Sequence, residues 1–436
     1  MRAGARIAAA IEVLAAIESQ HRPASQALSD WGRAHRFAGS GDRSAIGSLV
    51  YDVLRRKRSL AAQMADDSPR ALALAAASHA YSMTPGEVAA LTAVGDAHAP
   101  SPVTPDEARR LEEGLPHDAP ADVCADLPQW LLPSLERSLG PERLVTEGRA
   151  MAERAPVDLR VNVLKSDRER VLKALSRYGA TATGFAPHGV RIAAPLGIEK
   201  APNVEAETSH GKGWFEVQDE GSQIAAALAG AGPRQQVLDL CAGAGGKTLA
   251  LAAAMQNTGQ IYAYDRDAKQ LRPIFERLKR AGARNVQVLD GGNEAALSAL
   301  GPRFDVVLVD APCTGSGTWR RRPDAKWRLK PEALAERQRD QNAVLALAAP
   351  LVKAGGRLIY VTCSLLPEEN GDRIAAFLDE HPGFAVEPIG EVWRRVLPGE
   401  PPSSADGRTD TLLLTPASHG TDGFFIASLK KGEGAD

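Results

Sequence analysis

The sequence predicts an α/β protein whose C-terminal half is a mostly parallel sheet with helices on both faces. From Val217 onward, short apolar runs alternate with helical stretches, which is typical of parallel strands covered by helices. The first 95 residues are rich in alanine and carry helical periodicity, and residues 155–215 mix short alternating runs with one helix. We therefore expect an all-helical domain, then a small α+β module, then the α/β domain.

Length and composition exclude several classes of protein. The 436 residues suffice for two or three domains. Lys and Arg number 52 against 54 Asp and Glu, so nucleic-acid binding would need a local basic patch. No apolar run approaches the roughly 18 residues of a membrane span, and Glu12 and Glu18 interrupt the first apolar stretch. We expect a soluble, cytoplasmic protein without an export signal.

The cysteines predict reduced thiols and no metal site. They lie far apart, with no Cys-x-x-Cys and no His pair at zinc-ligand spacing, at Cys124, Cys241, Cys313 and Cys363. An even count would allow two disulfides, but a large chain without a secretory signal belongs in a reducing compartment. There, thiols are either buried or reactive.

The helical domain and its linker are predicted to span 1–140. Four aliphatic residues between positions 7 and 17 recur at helical spacing. The proline-rich stretch 98–120 indicates a loop or linker, after which leucines resume helical periodicity. A small α+β RNA-binding module is predicted over 150–215, with strand-like runs near 159–164 and 190–192.

The α/β domain is predicted to span 216–432. Its five strands are expected at residues 237–240, 261–264, 286–289, 304–309 and 358–362. Ligands of such sheets gather beyond the carboxyl ends of the strands. The residues that directly follow these runs are therefore the candidate site.

A glycine-rich turn follows the first of these strands. The motif D-L-C-A-G-A-G-G-K-T occupies residues 239–248, and Gly243, Gly245 and Gly246 would let the backbone approach a ligand at a helix N-terminus. On this motif alone, a generic tight turn or another nucleotide fold stays open. A P-loop NTPase is the main alternative, but the P-loop pattern G-x-x-x-x-G-K-[ST] requires a glycine at position 241, and this sequence has Cys241 there.

The second and third strands each end in an aspartate. Asp265 lies about twenty residues after the glycines, where a carboxylate accepts hydrogen bonds from both ribose hydroxyls of an adenosine. This suits NAD or S-adenosylmethionine and has no role at a P-loop, so ATP hydrolysis becomes the second choice. Asp290 could meet the adenine amino group, or serve as a helix N-cap or turn residue.

The fourth and fifth strands each lead into a cysteine. Cys313 lies in D-A-P-C-T-G-S-G at 310–317, and Cys363 lies in V-T-C-S-L-L-P-E-E-N at 361–370. Either one alone could be a small buried core residue. Two thiols at neighbouring strand ends beside a methyl donor instead suit methylation at carbon 5 of a pyrimidine. In that chemistry a thiolate adds to carbon 6, the enamine takes the methyl group, and a base removes the carbon 5 proton. A desolvated, neutral Asp310 could donate a hydrogen bond to ring nitrogen 3 and the carbonyl.

These motifs resemble the bacterial RNA cytosine-C5 methyltransferases of the Sun/Fmu type, which act on small-subunit ribosomal RNA and are related to the eukaryotic NOL/NSUN proteins. The similarity also covers L-R-V-N-V-L-K at 159–165, F-E-V-Q-D-E-G-S-Q at 215–223, R-R-R-P-D-A-K-W-R at 320–328, P-E-E-N at 367–370 and D-G-F-F-I-A at 422–427. The resemblance implies a class I, Rossmann-like methyltransferase domain. It also implies Cys363 as the nucleophile and Cys313 as the residue that assists breakdown of the covalent adduct. Chemistry alone leaves open which cysteine attacks.

The same resemblance implies S-adenosyl-L-methionine as the cofactor. Its expected ligands are the glycine loop and three strand-end carboxylates: Cys241, Ala242, Gly243, Ala244, Gly245, Gly246, Lys247, Asp265, Asp290 and Asp310. The family loop usually reads Cys-Ala-Ala/Ser-Pro-Gly-Gly-Lys-Thr. Here Gly243 and Ala244 replace the small residue and the proline, so the loop loses some rigidity and we expect weaker cofactor binding at most.

RNA is the expected partner, with the target cytosine unpaired or flipped outward. Residues 319–339 hold eight Lys or Arg against three Asp or Glu, with Trp319 and Trp327 interleaved, which suits phosphate contacts and base stacking. Residues 55–58 form a second basic cluster. A solvated helix face is the less favoured alternative for either cluster. Through residues 42–56, the first 95 residues resemble the NusB-type helical RNA-binding domain.

The expected substrate is 16S ribosomal RNA, with transfer RNA as an alternative. A non-catalytic RNA-binding factor of ribosome assembly is a second class of function, and the intact Cys363, Cys313, Asp310 and Asp265 argue against it. We expect a monomer that binds no membrane and no metal.

Overall fold

A computed structural model describes residues 1–92 and 97–434 of the chain. Its N-terminal third is helical, as predicted. The helices are α1 (Ala3–Gln20), α2 (Ala24–Ala34), α3 (Ser40–Arg55), α4 (Lys57–Met64), α5 (Pro69–Ala80), α6 (Pro85–Leu91), α7 (Pro105–Glu113), α8 (Ala121–Cys124), α9 (Leu132–Leu139) and α10 (Pro141–Ala152). Helix α1 buries Ile7, Leu14 and Ile17 on one face, which is the face that the helical periodicity predicts.

The prediction of a loop or linker over 98–120 is wrong in part, because α7 forms inside it. Thr104 caps this helix: its hydroxyl accepts a hydrogen bond from the Glu107 backbone NH, and the Glu107 carboxylate accepts one from the Thr104 backbone NH. Arg70 on α5 makes an ion pair with Glu107 at 2.8 Å. The prolines of this stretch include Pro105 at the first helical position, where proline starts a helix.

Two separate hydrophobic cores divide the helical region. Buried side chains from Ile7 to Leu111 form one core among α1 to α7. The buried residues between 125 and 151, among them Leu135 and Leu144, instead share a core with the large C-terminal sheet. We therefore propose that the helical domain ends near Glu113 and that α8 to α10 pack as part of the rest of the chain.

The α+β module contains a four-stranded antiparallel sheet with strand order β2-β3-β1-β4. Its elements are β1 (Val157–Val161), α11 (Arg168–Ala174), β2 (Thr181–Ala182), β3 (Gly189–Ile192), α12 (Thr208–Gly211) and β4 (Phe215–Val217). Asp167 caps α11 by accepting a hydrogen bond from the Arg170 backbone NH. The module core includes Leu159, Val171 and Phe215.

The C-terminal domain is built on an eight-stranded sheet. Its strands are β5 (Gln236–Asp239), β6 (Gln260–Ala263), β7 (Val286–Val288), β8 (Phe304–Asp310), β9 (Val352–Thr362), β10 (Phe384–Glu387), β11 (Leu412–Leu414) and β12 (Phe424–Lys431). The order is β10-β12-β9-β8-β5-β6-β7, with β11 also paired to β12. Strands β5 to β9 pair in parallel, and these are the five strands that the sequence predicts.

The chain order of the parallel strands reverses between β5 and β8. Strands β6 and β7 lie on one side of β5, and β8 and β9 lie on the other. Ligands of open α/β sheets bind beyond the carboxyl ends of the strands at such a point. The covering helices are α13 (Glu220–Leu228), α14 (Gly246–Ala254), α15 (Ala268–Leu271), α16 (Ile274–Ala281), α17 (Glu294–Ser298), α18 (Pro323–Arg328), α19 (Pro331–Ala348), α20 (Gly371–Glu380), α21 (Ile389–Val396) and α22 (Pro416–His419). No helix in the described parts of the chain is long and apolar enough to cross a membrane.

Candidate functional site

The glycine loop joins β5 to the N-terminus of α14. Gly245 has φ +84°, and a Cβ atom there would lie 2.5 Å from Ile274 Cγ1, so no larger residue fits without movement. Gly243 also has a positive φ, +49°, and a Cβ atom there would lie 4.0 Å from Asp265 Oδ2. The loop is closed by the Gly245 NH, which donates to the Ala242 carbonyl at 2.8 Å. Helix α14 therefore begins with its backbone NH groups at the carboxyl end of the sheet.

Asp265 lies beside this loop at the carboxyl end of β6. Its Oδ2 accepts a hydrogen bond from the Gly243 backbone NH at 2.9 Å, and its Oδ1 accepts one from the Asp267 backbone NH at 2.9 Å. The carboxylate is thus held in one orientation while it stays partly exposed. It can accept further hydrogen bonds from a bound diol, because each carboxylate oxygen has two lone pairs.

A cavity of about 930 Å³ opens in front of these residues. This volume is in the range of small-molecule and cofactor sites. Of the predicted cofactor residues, those that line the cavity are Cys241, Ala242, Gly243, Ala244, Gly246, Lys247, Asp265 and Asp310. Gly245 packs behind the loop against Ile274, and Asp290 is exposed and does not line the cavity. A role for Asp290 stays a prediction.

The cavity has further lining residues that the sequence reasoning missed. They include Gln218, Asp219 and Ser222 next to β4, Tyr264 and Gln270 near β6, Arg277 on α16, and Glu294 on α17. Gln218 and Asp219 belong to the motif at 215–223, so the sequence did contain a signal that could have identified them. No sequence motif includes Glu294, because its position beside the cavity depends on how α17 packs. Burial raises the pKa of the Cys241 thiol, so this side chain stays neutral.

Lys247 and Asp310 form an ion pair at the centre of the cavity. Lys247 Nζ donates to Asp310 Oδ2 at 2.6 Å and lies 5.4 Å from the centroid of the Phe424 ring. The lysine side chain is buried, but a third of the Asp310 side chain is exposed. The expectation that Asp310 is desolvated is therefore wrong for the free chain. Its action on a substrate base stays a prediction.

The two predicted cysteines meet. Cys313 follows β8 and Cys363 follows β9, and because these parallel strands pair directly, with Asp310 opposite Val361, the loops lie side by side. The Cys313 and Cys363 Sγ atoms are 3.4 Å apart. The hydrogen bond to Cys363 and burial both raise the pKa of Cys313 well above its ordinary value. Cys313 is therefore a neutral thiol.

A buried carboxyl group ties the two cysteine loops together. Glu369 accepts hydrogen bonds from the backbone NH and the hydroxyl of Thr314, at 2.8 and 2.5 Å, and from the Ser364 hydroxyl at 2.5 Å. Gln341 on α19 donates a fourth, at 3.0 Å. Thr314 and Ser364 directly follow the two cysteines, so Glu369 fixes the distance between the loops. Burial raises the pKa of Glu369.

The prediction that Trp319 and Trp327 stack on RNA bases is wrong. Trp319 is 1% exposed and lies in the core of the large sheet. The Trp327 indole NH donates to the Leu54 carbonyl of the helical domain at 2.5 Å, and Lys326 Nζ donates to the Arg55 carbonyl at 3.0 Å. These side chains join two domains. The alternative of a solvated face is wrong for them as well, because they are buried or half-buried.

Most cations of the two basic segments, 319–339 and 55–58, make ion pairs or hydrogen bonds within the protein. Arg320 and Arg321 make ion pairs with Asp219 and Asp422. Residues 55–58 make ion pairs with Asp52, Glu153, Glu18 and Asp122. From the segment 319–339, the cations that remain exposed without a partner are Arg322, Lys330 and Arg339. Within the described residues, no group of three or more His, Cys, Asp or Glu is placed to hold a metal ion.

Comparisons with known proteins agree with this geometry. Residues 226–430 match the family model described as 16S rRNA methyltransferase RsmB/F, and residues 127–199 match its ferredoxin-like domain. A probable ribosomal RNA small subunit methyltransferase B from Synechocystis is 34% identical over 315 residues, covering 70% of this chain and 66% of the relative. The ribosomal RNA small subunit methyltransferase B of an Escherichia coli strain is 32% identical over 325 residues, covering 74% of this chain and 70% of the relative.

Solved structures share the fold. The crystal structure of PH0851 is 27% identical with a TM-score of 0.73, and the similarity covers 99% of each chain. NSun6 from Pyrococcus horikoshii, solved with SFG, is 22% identical with a TM-score of 0.61, over 70% of this chain and 98% of that one. The second similarity supports the fold alone.

Proposed function

Because the chain belongs to the 16S rRNA methyltransferase RsmB/F family, we propose that it transfers a methyl group to carbon 5 of a cytosine in small-subunit ribosomal RNA, in the cytoplasm, through a covalent cysteine adduct. The observation that carries this proposal is the 3.4 Å separation of the Cys313 and Cys363 Sγ atoms at the carboxyl end of the sheet. Two thiols at this distance can both reach one pyrimidine ring.

S-adenosylmethionine is the methyl donor of this methyltransferase family, and its sulfonium supplies an electrophilic methyl group. The residues present fit this molecule. The Asp265 carboxylate is oriented by two backbone NH groups and suits the ribose hydroxyls. Gly243 lines the cavity with a positive φ of +49°, so the loop backbone can approach a ligand there. We therefore assign Asp265 and residues 241–247 to the cofactor.

Cys363 is proposed as the nucleophile. Its thiolate forms a bond to carbon 6 of the cytosine, and the electron pair of the carbon 5–carbon 6 double bond moves to carbon 5, which then takes the methyl group. The neutral Cys313 thiol, 3.4 Å away, can donate a hydrogen bond that stabilises the Cys363 thiolate before attack.

Cys313 and Asp310 are proposed to complete the reaction. After methylation, a base takes the carbon 5 proton, the electron pair of that carbon–hydrogen bond restores the carbon 5–carbon 6 double bond, and Cys363 leaves carbon 6 as a thiolate. Cys313 is proposed to assist this elimination. Asp310 lines the cavity on the strand that leads to Cys313, so we assign it to ring nitrogen 3 and the carbonyl. The ammonium of Lys247, 2.6 Å from Asp310, supplies a proton donor beside it.

The test compares two single-cysteine variants on unmodified small-subunit ribosomal RNA transcribed in vitro. Cys363→Ala is expected to abolish methyl transfer and to form no covalent complex. Cys313→Ala is expected to accumulate a protein–RNA adduct that survives denaturing electrophoresis. Bisulfite sequencing of the product locates the cytosine, and a parallel reaction with transfer RNA tests the alternative substrate. Full activity of Cys363→Ala would refute the proposed nucleophile.

A further inference from the structure

The α+β module and the neighbouring helix α16 carry four exposed cations. On the module these are Lys165, Arg170 and Lys212, and on α16 it is Lys279, all exposed. Over residues 1–92 and 97–434, none of these four groups makes an ion pair with a carboxylate. They differ in this respect from residues 55–58, each of which makes an ion pair with a carboxylate.

Direct contacts place these cations on one continuous surface. Lys165 Nζ donates to the Arg280 carbonyl at the end of α16, at 2.6 Å. Asn162 Nδ2 donates both to the Gly213 carbonyl in the module and to the Ala281 carbonyl, at 2.8 Å each. The loop that carries Lys212 therefore lies against the last turn of α16, where Lys279 is exposed.

Aromatic side chains lie among these cations. The Arg170 guanidinium stands 4.0 Å from the centroid of the Trp214 indole, and Lys212 Nζ lies 5.4 Å from it. On α16, Phe275 is 59% exposed and lies one turn before Lys279 on the same face. An exposed phenylalanine and an arginine held flat on an indole both provide planes on which a nucleobase can stack.

The same surface leads to the candidate site. Ile274 at the start of α16 contacts the glycine loop at Gly245, and Lys279 lies five residues further along the helix, or roughly 8 Å. Val217 and Gln218, at the end of β4, line the cavity itself. An RNA strand that presents a cytosine to the two thiols could therefore continue across α16 onto the module.

We propose that Lys165, Arg170, Lys212, Trp214, Phe275 and Lys279, here named the Trp214 surface, bind the RNA that flanks the target cytosine. This inference rests on the proposed function, because that function supplies the RNA substrate. The cations contact phosphates, and the aromatic groups stack on unpaired bases. Phosphate contacts fix the register of a nucleic acid, so this surface positions the target without reading its sequence.

The test is a pair of double charge reversals with the same change in net charge. Lys212→Glu with Lys279→Glu alters the Trp214 surface. Arg303→Glu with Lys430→Glu is the matched control, because both residues are exposed, have no ion-pair partner among the described residues, and lie outside the Trp214 surface. The probe is unmodified small-subunit ribosomal RNA transcribed in vitro, titrated at several salt concentrations. Circular dichroism melting checks that both variants fold.

The surface variant is expected to bind the RNA at least about tenfold more weakly, and the slope of log affinity against log salt should fall by roughly 1.4, which corresponds to two lost phosphate contacts on a single strand. The control should bind like the unaltered protein, and both variants should bind S-adenosylmethionine unchanged. Equal RNA affinity of the two double variants would overturn the proposal. If the unaltered protein binds the RNA but transfers no methyl group to it, the proposed function fails while the surface is still tested by the titration.

Discussion

Two buried carboxyl groups lie beneath the two ends of the site, and their hydrogen bonding differs. Asp239, under the glycine loop, accepts one hydrogen bond, from the Thr248 hydroxyl at 2.7 Å, and its other oxygen has no partner among the described residues. Glu369, under the two cysteines, accepts four. Both side chains are fully buried, so burial alone does not explain the difference.

The comparison shows which end needs side chains to define its shape. The glycine loop is fixed by backbone hydrogen bonds and by the tight packing of Gly245 against Ile274. The two cysteine loops follow different strands, and the Cys313 and Cys363 Sγ atoms must lie at a set distance. Backbone hydrogen bonds between the strands do not determine this distance. A carboxylate that receives donors from both loops supplies that constraint. Glu369 is thus a positioning residue for the two cysteines, whereas Asp239 is a buried group that we expect to have little effect on the rate of methyl transfer.

The largest effect should come from Glu369→Ala. The variant removes the acceptor of the Thr314 NH, the Thr314 hydroxyl and the Ser364 hydroxyl, and it leaves the Gln341 amide with the Pro312 carbonyl alone. We therefore expect a loss of roughly 3 kcal/mol in the free energy of unfolding. Displacement of the thiols by even about 1 Å should lower kcat by about 100-fold. Affinity for S-adenosylmethionine should change little, because Glu369 does not line the cavity. Urea unfolding, methyl-transfer kinetics and a cofactor titration measure these three quantities.

Glu369→Gln separates positioning from simple loss of stability. Glutamine keeps one oxygen acceptor and the shape of the side chain, so it should restore much of the stability and a part of kcat. Two results would show that Glu369 does not act through the thiols. One is a kcat that falls only in proportion to stability across the proteins with Glu, Gln and Ala at position 369. The other is a loss of cofactor affinity as large as the loss of kcat.

The sequence predicted the parts of this comparison that depend on strand ends. Strands β5 to β9 are apolar runs because both faces of a parallel sheet are buried, so Asp265, Cys313 and Cys363 could be located from pattern alone. The P-E-E-N motif drew attention to Glu369 through family resemblance. Its role could not be predicted, because Thr314 lies 55 residues away in the chain.

Basic and aromatic residues were predicted less well. A run of arginines with tryptophans has the same composition whether it faces RNA or joins two domains, and Trp327 pairs with Leu54 across 273 residues of sequence. The cations of the Trp214 surface come from separate segments, so no local count identifies them. For the cations the deciding fact is whether a carboxylate lies nearby in the folded chain, and for Trp327 it is the contact with the Leu54 carbonyl.

Gly245→Ala should have the next largest effect, at the cofactor end. The added Cβ would meet Ile274 Cγ1 at 2.5 Å in a backbone conformation with φ +84°. We expect a loss of about 2 kcal/mol in stability from the clash and the left-handed backbone, with roughly tenfold weaker binding of S-adenosylmethionine as the loop moves. Gly246→Ala is the matched control for stability, because its nearest neighbours are 3.9 Å or more away. Equal melting temperatures of the two variants would contradict this account of the loop.

Asp239→Asn should have the smallest effect on activity, within about twofold, but a distinct effect on pH dependence. Burial raises the pKa of Asp239 from 3.8 to about 7. Between these values the folded protein holds a proton that the unfolded chain has released, so the stability from this group is full below about pH 4 and is lost as the pH rises to 7. Asparagine does not titrate, so the fall in free energy of unfolding between about pH 5 and pH 8 should be smaller in the variant by roughly 2 kcal/mol. Urea unfolding of both proteins across this pH range measures this difference in the free energy of unfolding.

Parallel curves of unfolding free energy against pH would mean that Asp239 is already ionised in the folded protein. The contrast with Glu369 would then rest on hydrogen bonds alone.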